Sequence, residues 1–156
     1  MAIRLNRANS YKTENVTELA KNSLDLTGGA FFISSTSGVA NKAAAGERII
    51  GVNLTEKAYA SDNESSALAR VTIVPSVAGR LYEVAIAGGT VTVADEFKFY
   101  NLTATAGDTV DGTTESVTES YVNTSDAGAA VDPVVKMQLQ LVRFISATKG
   151  VFRIVL

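Results

Sequence analysis

The sequence predicts an all-β protein: a small β-barrel or sandwich domain with an extended N-terminal arm and a long acidic insertion. Three observations carry that prediction. Apolar and polar residues alternate in short runs, the period of a half-buried strand. Gly, Asn, Ser and Asp separate those runs at close intervals, as turns do between strands. The composition is rich in Ala, Val and Thr, with 2 Pro and neither Cys, His nor Trp. The 156 residues and 16.3 kDa suit one domain, read as an arm over 1–23 followed by a single β domain over 24–156.

Taken in order, residues 1–23 mix Arg4, Arg7, Lys12 and Lys21 with Glu14 and Glu18 and hold few apolar residues. Asn15 followed by Glu18 has the spacing of a capping box, which predicts a short helix over about 15–22. Phe31-Phe32-Ile33, after Gly28-Gly29, is an apolar run read as a strand. Arg48, Ile50, Val52 and Leu54 alternate with Glu47, Ile49, Gly51 and Asn53, a strand with Gly51 as a bulge or close-approach site. A further strand over 67–74 is stopped by Pro75, which has no N–H for a ladder, and Ser61 to Glu64 repeats the capping-box spacing before it. Leu81–Ala87 and Thr90–Phe97 flank Gly88-Gly89, which predicts a hairpin closed by a type I′ turn. Phe97 and Phe99, at strand spacing, are expected in the core.

The segment 103–134 holds Asp108, Asp111, Glu115, Glu119, Asp126 and Asp132 and no Lys or Arg. It reads as a long excursion, with one or two weak strands over 114–122. Residues 135–156 oppose it with Lys136, Arg143, Lys149 and Arg153. There Val135, Met137, Leu139 and Leu141 alternate with polar residues until the phase slips at Val142, which suggests a bulge. A turn over 146–150 then leads into a returning strand over 151–156.

Composition excludes several chemistries. Without His or Cys there is no Ser-His-Asp triad, no Cys-His dyad and no His or Cys zinc site. A net charge of −2 and a pI near 5.2 are not those of a nucleic-acid binder. No apolar run approaches the length of a membrane-spanning helix, and none of signal-peptide length follows the first residues. Gly107 to Gly112 supplies two carboxylates and two glycines but lacks the spacing and distal Glu of a Ca²⁺ loop, so a turn is the better reading. Asp95 and Glu96 are adjacent, and on a strand they would face opposite ways. Asp62 and Glu64 suit caps. Tyr82, Phe97, Phe99 and Tyr100 could offer a sugar-stacking face, a reading that the absence of Trp weakens. The expectation is no enzyme, no catalytic residues, no cofactor and no metal.

Two stretches nevertheless resemble a known family. Thr36-Ser37-Gly38-Val39-Ala40-Asn41-Lys42, continuing through Ala43-Ala44-Ala45-Gly46 into Glu47-Arg48-Ile49-Ile50-Gly51-Val52, is similar to a pattern of small tailed-phage capsid proteins. In that pattern a small-residue turn and an Ala/Gly-rich link lead into a G-[DE]-x-x-x-G-V strand. Gly79-Arg80-Leu81-Tyr82-Glu83-Val84 with Gly88-Gly89-Thr90-Val91-Thr92 is similar too. With the arm, these resemble the head decoration, or capsid cement, proteins of tailed bacteriophages, over roughly residues 28–100.

The resemblance implies a small β-barrel-like or β-tulip-like core and a non-catalytic structural protein of the virion, made in the host cytoplasm and seated on the outer capsid surface. It would have the major capsid protein and its own copies, usually as a homotrimer, as partners, and neither nucleic acid nor membrane. On this reading the expected capsid contacts are Ile3, Arg4, Leu5, Arg7, Tyr11 and Lys12, and the expected subunit interface holds Ile50, Val52, Gln138, Gln140 and Arg143. The alternatives are another β-rich virion component (tail tube, tail terminator or fibre-associated) or a sugar- or Ca-binding β-module.

Overall fold

The computed structural model describes residues 3–5, 15–61, 69–104, 106–117, 120–121 and 135–155, with backbone alone at 3–5, 120–121 and 135–136. The architecture is all-β, as the sequence predicts, and takes the barrel form twice. The first barrel joins β2 (Val16–Ala20), β4 (Val39–Lys42), β3 (Phe32–Thr36), β5 (Gly51–Asn53) and β6 (Arg70–Pro75), with β6 pairing back to β2. The second joins β7 (Leu81–Ala87), β13 (Lys149–Ile154), β12 (Leu139–Ser146), β8 (Phe99–Leu102) and β9 (Thr109–Ser116), closed by a parallel β7–β9 pairing. The strand β1 (Ile3–Leu5) lies antiparallel on β7, and β10 (Ser120–Tyr121) pairs with β11 (Val135–Lys136). Closing both sheets leaves few free edges, the usual hazard of small β proteins.

The apolar run Phe31-Phe32-Ile33 explains how the two barrels meet. Successive strand residues face opposite ways. Ile33 therefore enters the first barrel with Ala20, Leu26, Ala40, Val71 and Ile73, while Phe32 points into the other cluster. There Phe32, Ala43 and Ile49 join Tyr82, Tyr100, Leu139 and Phe152, and the Phe32 and Tyr82 rings meet edge to face at 5.3 Å. A run apolar on both faces thus marks a strand buried between two cores rather than under one.

Polar groups complete the join. Gln138 is fully buried; its Oε1 accepts from Leu102 N at 2.9 Å, and its Nε2 donates to Ala44 O at 2.8 Å and Glu47 O at 2.6 Å. Phe32 N donates to Gly107 O at 2.6 Å. Gly107 has φ +68, and a Cβ there would come 2.9 Å from Lys42 Cβ, so the loop closes on the first barrel because that residue is glycine.

Several expectations are corrected. The helix over 15–22 is the strand β2, and Ala20, inside the expected arm, is buried in the first barrel. The Asn15–Glu18 spacing is a local signal, and two strand partners outweigh it: β6 along 16–19 and β4 at 19–20. The 81–97 hairpin does not form. Only Gly88 has positive φ, whereas a type I′ turn needs two, and Gly89 instead lies against Gly112, where a Cβ would meet backbone carbon at 2.9 Å. Thr92 N donates to Asp95 Oδ2 at 2.7 Å and folds Val93–Asp95 into a 3-10 turn. Tyr100, not Phe97, enters the core.

The stretch 109–116 is not an excursion. It is the barrel strand β9, with Val110 fully buried. The 48–54 strand shortens to β5, with Ile49, Gly51 and Asn53 inward and Leu54 exposed. The bulge near Val142 and the end of β6 at Pro75 are as predicted. The capping-box residues Asp62 to Glu64 and the residues 122–134 lie outside the described residues.

Candidate interaction surface

The connection between β7 and β8 builds the most distinctive surface feature. Phe97 has φ +71 and is 64% exposed. A bulky residue in the left-handed region costs about 1–2 kcal/mol and persists only where its surroundings enforce it. Here they do so on both sides of its backbone. Phe97 N donates to Leu141 O at 2.6 Å, and the buried Gln140 donates through Nε2 to Phe97 O at 2.8 Å. Glu96 Oε1 accepts from Phe144 N at 2.9 Å, and Leu141 N donates to Lys98 O at 2.9 Å, so the whole turn is fastened to β12. The ring is left at the surface, beside a hollow of ≈ 240 Å³ lined by Gly79, Leu81, Phe97, Gln140, Val142 and Arg153.

A charged cluster stands next to it in the chain. Lys98 Nζ pairs with Asp95 Oδ1 at 2.8 Å and Glu115 Oε1 at 2.5 Å, and Tyr100 OH donates to Glu115 Oε2 at 3.4 Å. Hydrogen bonds from Lys98 and from Thr92 N–H hold the Asp95 carboxyl below its ordinary value. The same two carboxylates raise Lys98, and burial followed by the charges of Glu115 and Asp95 raises Tyr100. A lysine held cationic and a phenol held neutral are poor bases and nucleophiles at neutral pH. The cluster fastens β8 to β9 and to the 3-10 turn.

The expected site residues fall in different places. Ile3, Arg4 and Leu5 form β1, opposite Val84, Glu83 and Tyr82, while Arg7, Tyr11 and Lys12 lie outside the described residues. Ile50 and Val52 are half-buried; Ile50 packs on the first core and Val52 on the shared one. Gln138 and Gln140, expected at a subunit interface, are both buried with their amides bonded within the chain. Gln140 reaches the surface only as part of the hollow's wall. Arg143 is exposed on β12.

In the acidic stretch, Asp108 Oδ1 accepts from the Thr109 hydroxyl, and Asp111 Oδ1 accepts from Thr113 N and its hydroxyl. Among the described residues no group of three acidic side chains could hold a metal ion, and no helix is long and apolar enough to cross a membrane. Phe97 was the feature the alternation concealed; the signal for it was Thr92-x-x-Asp95, a capping spacing that ends a strand before Phe97.

Comparison with known proteins adds no relative: no family model matches the chain, and no curated protein matches its sequence.

Proposed function

We propose that this chain is a non-enzymatic structural protein of a phage virion that binds the outer capsid surface and stabilises the shell. One observation carries the binding part of the reading. Phe97, an aromatic ring 64% exposed, is held in a strained backbone by two hydrogen bonds at the edge of a hollow. Strain maintained to present an apolar ring outward suits contact with a partner protein, where buried aromatics dominate binding. The virion part rests on the resemblance of residues 28–100. The partners are the major capsid protein and further copies of this chain, as a closed homotrimer. Symmetric repetition lets many modest contacts sum to tight attachment. The capsid contact combines this surface with the part of the N-terminal arm that follows β1, with Arg7, Tyr11 and Lys12.

The test mixes purified protein, after light scattering gives its mass, with expanded, undecorated shells and images them. The reading predicts a trimer that adds stoichiometrically, and a Phe97→Ala protein that folds yet decorates at least tenfold more weakly, a loss of about 1.4 kcal/mol. Filaments or rings of the protein alone would point to a tail component instead. A folded trimer indifferent to shells would overturn the reading.

A further inference from the structure

The strand β7 has one edge divided between two partners. Along Leu81–Ala85 its first edge is filled by β13. On the opposite edge β9 pairs in parallel with Ala85–Ala87 only, and β1 pairs antiparallel with Tyr82–Val84. The barrel is therefore closed by β9 at one end of this edge, and the adjoining backbone of residues 82–84 is covered by a strand from the far N-terminus. Without β1 those residues would present unpaired N–H and C=O groups, a ready site for strand addition.

Three features make β1 exchangeable. It is only three residues long. Ten residues, 6–15, separate it from β2, a connection able to span roughly 35 Å when extended. Its register sets Arg4 opposite Glu83, and a strand from an identical chain would reproduce that pairing. A tether of this length gives β1 of the same chain an effective concentration on the order of millimolar. In a closed oligomer the neighbour's β1 is held comparably near, so exchange loses no contact and adds a covalent crossing between subunits.

We propose that in the assembled protein the edge of β7 at residues 82–84 is filled by β1 of a neighbouring copy, so that each subunit covers the strand edge its neighbour's second barrel leaves open. The proposal rests on the self-association in the reading above, and its test separates the two. Arg4 and Glu83 are opposed in an antiparallel pair, where Cα atoms lie about 4.5–5.5 Å apart, within disulfide range. The chain has no cysteine, so any disulfide is an introduced one.

Full-length R4C and E83C proteins, one carrying a size tag, are unfolded, mixed, refolded and oxidised. Exchange predicts a mixed-disulfide dimer as the main crosslinked product, absent when either protein is oxidised alone. If the mixture gives no such dimer while an R4C/E83C double variant closes its disulfide within one chain, β1 stays on its own barrel and the proposal fails. Failure of both to crosslink refutes the β1–β7 pairing and the proposal with it. A second measurement avoids cysteine. Full-length R4E and E83R proteins should each lose melting temperature, and co-refolding them should restore part of the loss only if the strand comes from another chain. Light scattering on the unmodified protein reports self-association independently: a monomer would refute the trimer whatever the crosslinks show.

Discussion

Gln138 shows how much one buried amide can do in a protein this small. Its Oε1 and Nε2 satisfy Leu102 N, Ala44 O and Glu47 O, which belong to different barrels. Gln138→Leu keeps the volume but leaves those backbone groups without partners, and should cost about 3 kcal/mol, measured by urea unfolding. Phe97 invites a comparison of two truncations. Phe97→Ala and Phe97→Gly remove the same ring, but Ala retains the unfavourable φ of +71. Gly at this position should be the more stable of the two by about 1 kcal/mol, and an equal or more stable Ala protein would refute the strain. The Asp95–Lys98 pair gives a pH signature. Asp95 is depressed from 3.8, so its contribution is complete above that value and is lost as pH falls through the lower folded-state pKa. Lys98 is raised from 10.5, so its contribution is complete below that value and is lost as pH rises through the folded-state pKa. Asp95→Asn should therefore flatten the fall of melting temperature in acid, read by melting curves across the range below pH 5.

At the scale of elements, the strands legible in the sequence are those whose own pattern decided their environment. Phe31-Phe32-Ile33 names a strand by apolarity alone, and Pro75 names its end by the missing N–H. Gly51 was legible as a bulge or close-approach site because glycine inside a strand commonly marks one or the other, and its contact with Val74 O decides for the close approach. A Cβ at Gly51 would lie 2.1 Å from Val74 O, so Gly51→Ala should separate β5 from β6 and cost about 2 kcal/mol or more by the same unfolding assay.

The elements that local pattern misplaced are those whose partners lie far away in sequence. The fate of β7 was decided by β13, whose paired residues lie about seventy positions on, and by β1 and β9, not by the adjacent double glycine. The same applies to β2, which local capping chemistry reads as helix and barrel closure makes a strand. This sets a boundary for truncation. Removing residues 2–12 takes away β1 but leaves β2, and should yield a folded protein. Removing 2–21 also takes away β2 with the buried Ala20, which opens the first barrel, and should abolish cooperative unfolding by circular dichroism.

For the whole molecule the question is whether two closed barrels behave as two bodies. Each has strands enough to close, and the first has its own apolar cluster. The second does not: its cluster includes Phe32, Ala43 and Ile49 from the first barrel's side. The Phe32–Tyr82 contact, the Gln138 clip and the Phe32 N to Gly107 O bond all cross the same junction. Unfolding the first barrel alone would thus strip apolar cover from Tyr82 and break buried hydrogen bonds of the second, which couples the two equilibria. Calorimetry should show a single transition, with van't Hoff and calorimetric enthalpies in agreement. Phe32→Ala tests the origin of that coupling. It removes a fully buried ring and should cost about 3–5 kcal/mol. Because the lost contacts are those shared by both cores, it should also split or broaden the transition. Gly51→Ala, which acts within the first barrel's sheet, should lower the midpoint without splitting it. Two resolved transitions in the unmodified protein would mean that the junction is too weak to unite the barrels.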